Sequence, residues 1–91
     1  MEKIGTYVVR NDNVESTVLD DECMLFHPEK NLFYKVNDTG TFIWEAISRK
    51  ISIDTIIQKL TSNFDVDKKI AKKEVISFLK YLKEKDLIEY C

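Results

Sequence analysis

The sequence predicts an α+β domain in which an N-terminal antiparallel sheet of about three strands is followed by three helices, a winged helix-turn-helix-like arrangement. The hydrophobic period predicts this order, because apolar residues alternate over residues 32–36 and then recur every three to four positions. Residues suited to helix caps lie where the two-residue period gives way to the helical one. With 91 residues, the chain is expected to form a single domain, residues 1–91.

Three segments carry the strand pattern: residues 6–10, 23–27 and 32–36. The four residues between the last two fit a hairpin turn, because Pro28 fixes φ early in it and Asn31 tolerates the left-handed region. We therefore expect residues 23–27 to pair with residues 32–36. Residues 14–22 show no clear pattern, and residues 87–90 could add a short final strand.

Potential N-cap residues precede each of three segments with helical spacing. Asn37 or Asp38 would begin the first helix, Ser52 the second, and Asp65 or Asp67 the third and longest. The apolar positions that follow them are Phe42, Ile43, Ala46 and Ile47, then Ile53, Ile56, Ile57, Leu60 and Phe64, then Ala71, Val75, Phe78, Leu79 and Leu82.

The composition is that of a globular protein, with 44% hydrophobic and 33% charged residues and a net charge of −2. The charge is uneven. Residues 1–48 hold four basic and nine acidic residues, whereas residues 49–91 hold ten basic and seven acidic ones. We find no apolar run near the length that spans a bilayer and no leader-like start, so a cytoplasmic location is expected.

Catalytic or metal-binding chemistry is not indicated. His27 has no partner at a recognisable spacing and is expected to be an exposed turn residue, while Cys23 and Cys91 form no ligand cluster and suggest one core and one terminal thiol. The acidic run at residues 20–22 is typical of a solvated loop. Two glycines are too few for a phosphate-binding loop. We therefore expect no metal, no cofactor and no independent enzyme activity.

An aromatic strand, then Asn37, then a helix carrying Ile43 and Trp44 resembles the PqqD-like leader-peptide-binding domains, also called RiPP recognition elements. The resemblance extends over roughly residues 5–90. The later positions that carry it are Ile56, Ile57, Leu60, Phe64, Asp65, Val66, Asp67, Val75, Phe78, Leu79, Leu82, Leu87 and Ile88. The chain departs from the family at two sites where glycine is frequent, which here read Arg49-Lys50 and Asp86.

The resemblance implies that the leader segment of a ribosomally made precursor peptide adds a strand beside residues 32–36 and packs against the third helix. A partner enzyme, in a lasso-peptide or PQQ-type pathway, would then modify or cleave the presented peptide. The peptide-binding residues expected on this basis are Leu32, Phe33, Tyr34, Lys35, Val36, Lys69, Lys72, Ile76, Leu79, Lys80 and Lys83.

The third helix supports the same expectation through its charge, because Lys69, Lys72, Lys73, Lys80 and Lys83 surround Ile76 on one face. Such a face can attract an acidic peptide and offer it an apolar contact. The alternative interpretation is the ordinary solvated side of an amphipathic helix.

A winged-helix DNA-binding transcriptional regulator is the alternative function, since a basic third helix is also found in operator-binding proteins. Overall acidity argues against nucleic acid, as does a third helix without Asn, Gln or Arg to read base edges. The open strand edge makes either a monomer or a weak or swapped dimer conceivable.

Overall fold

The computed structural model describes residues 7–20 and 22–91. Within them lie six strands and three helices. In chain order these are β1 (Tyr7–Arg10), β2 (Glu15–Leu19), β3 (Glu22–His27), β4 (Leu32–Val36), α1 (Asp38–Ala46), β5 (Ile51–Ser52), α2 (Ile53–Asn63), α3 (Lys68–Glu84) and β6 (Ile88–Tyr90). The expected α+β class, with a three-stranded antiparallel sheet ahead of a three-helix region, is confirmed.

The sheet that precedes the helices has the order β2-β3-β4 and is antiparallel throughout. The β3–β4 hairpin has the expected register, from Cys23 opposite Val36 to His27 opposite Leu32. Its turn follows the sequence prediction, because Asn31 adopts a φ of 57° and its N–H donates to the carbonyl of His27 at 2.7 Å. Turn chemistry and strand alternation thus agree on this hairpin.

The first strand does not join that sheet, contrary to our expectation of one sheet containing residues 6–10. β1 instead lies between β5 and β6 in a second antiparallel sheet, with Val8 opposite both Ile51 and Tyr90. Thr6, which we placed in this strand, lies outside the described residues. The third strand of the first sheet is β2, which forms from residues 15–19, where no element was predicted.

Each helix begins at an expected cap residue. The Asn37 side chain accepts a hydrogen bond from the N–H of Gly40 at 2.9 Å, and the hydroxyl of Ser52 accepts one from Thr55 at 3.0 Å. Asp67 accepts one from Lys69 at 3.1 Å, so Asp67 rather than Asp65 caps α3. These bonds satisfy amides that have no partner inside the helix.

The end of α3 is closed by a Schellman motif in which Asp86 takes the place usual for glycine. Its φ is 63°, its N–H donates to the carbonyl of Lys83 at 3.0 Å, and the next N–H, of Leu87, donates to Leu82 at 2.9 Å. The motif turns the chain into β6, which pairs with β1 as the expected short final strand. At this site, where the family that the sequence resembles often has glycine, Asp86 therefore adopts the left-handed conformation.

The core joins the inner side of β3 to the three helices. Its members are Val8, Cys23, Leu25, Val36, Ile43, Trp44, Ile47, Ile56, Ile57, Leu60, Ala71, Val75, Leu79, Leu82, Leu87 and Ile88. Arg10 connects β1 to this core, since its guanidinium lies 4.3 Å from the centroid of the Trp44 ring and donates to the Trp44 carbonyl at 2.7 Å. Burial lowers the pKa of Arg10 from its ordinary value.

Candidate peptide-binding groove

The outer edge of β4 is open, because β4 pairs with β3 on one side and with no other strand of residues 7–20 and 22–91. Tyr34 is half-buried and Val36 is buried on the inner face, whereas Phe33 is 65% exposed on the outer face. An open edge presents unpaired N–H and C=O groups that an extended polypeptide can bond. The outer edge of residues 32–36, which we expected to be open, is therefore free to pair with another strand.

Two contacts connect α3 to the hairpin and to the region where β4 ends. At one end, the ammonium group of Lys30 in the hairpin turn donates to the carbonyl of Lys85 at 3.2 Å, just beyond the end of α3. At the other, the backbone of Gly40 lies beside Phe78, and an added Cβ would be 3.0 Å from that ring. The end of α3 therefore lies near the hairpin turn, and the middle of α3 lies near the end of β4.

A cavity of about 550 Å³ lies where β4 ends, between the start of α1 and the middle of α3. We call it the groove, and it is lined by Asn37, Thr39, Gly40, Ile43, Ile70, Lys73, Glu74, Ser77, Phe78 and Tyr81. A smaller cavity of about 230 Å³ continues it towards Phe64 and Val66 and shares Thr39, Ile70 and Glu74 with it. Together their volumes can hold a few side chains of a bound peptide.

Gly40 allows α1 to pack closely against the end of β4 and the middle of α3. A Cβ at this position would overlap Cγ1 of Val36 and approach the Phe78 ring to 3.0 Å. The missing side chain thus lets α1, the end of β4 and α3 meet at one point. This explains the position of one of only two glycines in the sequence.

The lysine-rich face of α3 lies next to the groove. A shallow depression of about 440 Å³ is lined by Lys69, Lys72, Lys73, Ile76, Ser77 and Lys80. It shares Lys73 and Ser77 with the groove, so the two surfaces are continuous. Ile76 is 46% exposed among these lysines.

Four of the expected contact residues are buried or already paired with a charged partner: Val36, Leu79, Lys35 and Lys83. Leu79 is 1% exposed and belongs to the core, so its side chain supports α3 from inside. Lys83 forms an ion pair with Glu89 of β6 at 3.0 Å. Lys35 of β4 pairs with Glu22 of β3 at 3.3 Å, and both side chains remain largely exposed.

Sequence reasoning missed most of the α3 residues that line the groove. Ile70, Glu74, Ser77 and Tyr81 recur at helical spacing beside the core stripe, and Ile70 and Tyr81 are 53% and 37% exposed. Two exposed apolar residues flanking a core stripe were the available signal. The lysines on the neighbouring face of α3 form a stronger sequence pattern, so the contacts were predicted on that face instead.

His27 is buried, contrary to the expected exposed turn residue, because it ends β3 on the inward-facing side with Cys23 and Leu25. Its Nε2 lies 3.2 Å from Oδ2 of Asp86, and its Nδ1 accepts the N–H of Lys30 at 3.3 Å. The second bond requires an unprotonated Nδ1, so the neutral ring carries its proton on Nε2 and donates to Asp86.

The same two residues and Glu29 place potential metal ligand atoms within 4.8 Å of one another. A metal on Nε2 would require the proton to move to Nδ1, where it would face the N–H of Lys30. The hydrogen bonds therefore favour a structural His–Asp contact over a metal site at this point.

The two thiols are free, as expected: Cys23 is buried in the core and Cys91 is exposed. Burial raises the pKa of Cys23, which keeps its thiol protonated and unreactive at neutral pH. None of the helices in the described part of the chain is long and apolar enough to cross a membrane.

The family model described as coenzyme PQQ synthesis protein D (PqqD) matches residues 22–88. The chain belongs to the PqqD family. The match begins at β3 and ends at the first residue of β6, so it contains the β4 edge and every residue of the groove. It confirms the resemblance drawn from the sequence. No curated protein sequence matches the chain.

Two solved structures resemble this PqqD-family chain over nearly its whole length. TbiB1 in complex with the TbiA(beta) leader peptide has a TM-score of 0.81 and 25% sequence identity, covering 89% of this chain and 94% of that one. Lasso peptide synthetase B1 complexed with the leader peptide has a TM-score of 0.77 and 19% identity, covering 89% and 95%. The second likeness concerns the fold alone.

Proposed function

We propose that this chain binds the leader segment of a ribosomally synthesised precursor peptide at the β4 edge and presents it to a modifying enzyme or leader protease. The observation that carries the proposal is the open edge of β4 beside the groove. Support comes from TbiB1, which shares the fold at 25% identity and is described in complex with a leader peptide.

Main-chain pairing would supply the first part of the affinity. A guest strand next to β4 completes the bonding of a sheet that the chain leaves unfinished, and this mode of binding tolerates many peptide sequences. Selectivity then comes from side chains that alternate along the guest strand. Those on the inner face would follow Leu32 and Tyr34 towards α3, where Tyr81 and Phe78 offer apolar contacts in the groove.

Charge would supply the second part. Lys69, Lys72 and Lys80 are exposed on α3 around Ile76, and they attract an acidic segment that leaves the groove across Lys73. Each exposed ion pair is worth about 0 to 1 kcal/mol, so the lysines mainly orient the peptide and speed its association. Burial of Ile76 or Phe33 would contribute about 1.5 to 3 kcal/mol each if complete.

The chain would act as an adaptor, with the chemistry carried out by its partner. A lasso-peptide or PQQ-type pathway is the setting we propose, and the partner is an enzyme that modifies the peptide or removes its leader. Such a role needs a binding surface and no reactive group. The protonated thiol of Cys23 in the core and the hydrogen bond between His27 and Asp86 agree with it.

Calorimetric titration with the synthetic leader of a precursor gene encoded nearby tests the function. We expect binding below about 1 µM for the leader, and none for a scrambled leader or for random duplex DNA. Phe33→Ala and Ile76→Glu should each weaken binding, whereas Lys59→Glu on α2 should leave it unchanged. Equal binding of the scrambled peptide would contradict leader recognition. If neither Phe33→Ala nor Ile76→Glu affects leader binding, the contact residues are misassigned.

A further inference from the structure

The β2-β3-β4 sheet has a second open edge, formed by β2, within the part of the chain that the structure describes. All five residues of β2 are exposed, including those on the face that β3 directs to the core. Val18 is 42% exposed and Leu19 is 70% exposed. No helix covers this strand, which distinguishes it from β4 beside α3.

Apart from Glu15 at its start, the edge also lacks the residues that commonly protect exposed strands. Such strands usually carry lysine, proline or a bulge that prevents pairing with another chain. The sequence of β2 is Glu-Ser-Thr-Val-Leu, with two β-branched residues and no basic one. β4, by contrast, carries Lys35 on its outer face.

We propose that two copies of this chain associate through β2, antiparallel across a twofold axis at Thr17, to form a continuous six-stranded sheet. This register pairs all five residues of β2 with β2 of the other copy. Thr17 meets the partner's Thr17, Ser16 meets the partner's Val18, and Leu19 meets the partner's Glu15. Threonine pairs across strands are favourable, and no like charges face each other.

The charge of the pairing surface determines how the dimer responds to salt. Glu15 and Asp20 flank the strand, and each copy has a net charge of −2. In this register the two Glu15 residues are offset by four positions, about 13 Å along the strand. That separation exceeds the screening length at physiological ionic strength, but Glu15 of one copy lies only one position from Asp20 of the other. Added salt weakens the repulsion between these two carboxylates and should strengthen association. Both β4 edges stay free at the ends of the six-stranded sheet.

Sedimentation equilibrium of the full chain with a reducing agent, over about 10 µM to 1 mM, tests the dimer. Reduction excludes a disulfide through the exposed Cys91. We expect a monomer–dimer equilibrium in which the dissociation constant falls as salt is raised. Thr17→Lys, which places two lysines opposite each other, should weaken it at least about tenfold. Ser62→Lys, on the exposed end of α2, should have no effect.

Three outcomes would overturn the proposal. A monomer at every concentration would exclude the dimer. A dimer unaffected by Thr17→Lys would place the contact elsewhere. A dimer that dissociates when saturating leader peptide is added would place it at β4.

Discussion

Nε2 of His27 donates a hydrogen bond to Oδ2 of Asp86 across 3.2 Å, and this contact joins residues 59 positions apart. His27 ends β3 at the hairpin turn, and Asp86 turns the chain from α3 into β6. Lys30 and Lys85 make a second contact between the same turns. The end of the β3–β4 hairpin is thereby held against the end of α3, so the hairpin that carries the β4 edge has a fixed position relative to α3.

Substitution of Asp86 should separate two contributions to stability. Asp86→Gly removes the contact to His27 but suits the left-handed backbone, whereas Asp86→Ala loses the contact and adds about 1 to 2 kcal/mol of backbone strain. We expect both to lower the free energy of unfolding in urea, Ala by more than Gly. Asp86→Asn keeps an acceptor for His27 and should be close to wild type. Equal stability of the Gly and Ala variants would contradict the backbone argument.

Gly40→Ala should destabilise the chain even though alanine is the better helix former. The gain in helix propensity is about 1 kcal/mol, while overpacking against Val36 and Phe78 costs about 1 to 3 kcal/mol. Circular dichroism during thermal unfolding measures the balance. As a matched control, Ser62→Ala on the exposed part of α2 should leave the unfolding temperature nearly unchanged. A stabilised Gly40→Ala variant would mean that the three elements separate without cost.

Tyr81→Ala should weaken leader binding about fivefold to thirtyfold, because the ring lines the groove and stacks on Phe78 with centroids 6.2 Å apart. Tyr7→Ala is the matched control, since Tyr7 is similarly exposed but lies in the other sheet. Fluorescence anisotropy of a labelled leader peptide measures both. If the two variants lose affinity equally, the groove is not the site of the peptide.

Stability should fall in alkaline solution through two acids whose pKa is raised by burial, the Cys23 thiol in the core and the partly buried Tyr90 phenol. Burial raises the pKa of Cys23 above its ordinary value of 9.0 and that of Tyr90 above 10.0. Below these ordinary values both groups are protonated in the folded and unfolded states. As pH rises further, the unfolded chain loses these protons first and is favoured. The free energy of unfolding should therefore decline from about pH 9 upward.

Two cysteine variants test the alkaline prediction by urea unfolding at several pH values. Cys23→Ala should decline less steeply than wild type because its buried thiol no longer titrates, whatever its stability at neutral pH. Cys91→Ala should keep the wild-type slope, since Cys91 is exposed. Identical slopes for all three proteins would exclude Cys23 as a source of the decline.

Local signals in the sequence were sufficient for the hairpin, the caps and the helices. Asn31 and Pro28 determine the turn, and alternation then leaves one register for β3 and β4. The same alternation placed His27 on the inward face with Cys23 and Leu25. Its neighbour Pro28 suggested an exposed turn, but strand parity determined its burial.

Non-local pairing could not be predicted in the same way. β1 joins β5 and β6 across more than forty and more than seventy residues, and two of these strands have only two or three residues. Such short segments carry little pattern of their own. β2 escaped prediction for a different reason, since all its residues are exposed and none is required to alternate. The groove depends on both α1 and α3, whereas the lysine pattern described α3 alone.

The junction at Asn37 limits how many residues of a bound peptide can pair with β4. β4 ends at Val36, and the next residue already caps α1, so the backbone turns away from the sheet there. A bound segment can thus keep step with the chain for about five residues, roughly 17 Å, before it must diverge. The rest of such a peptide would have to bind outside the sheet, along α1 and α3 or on a partner protein.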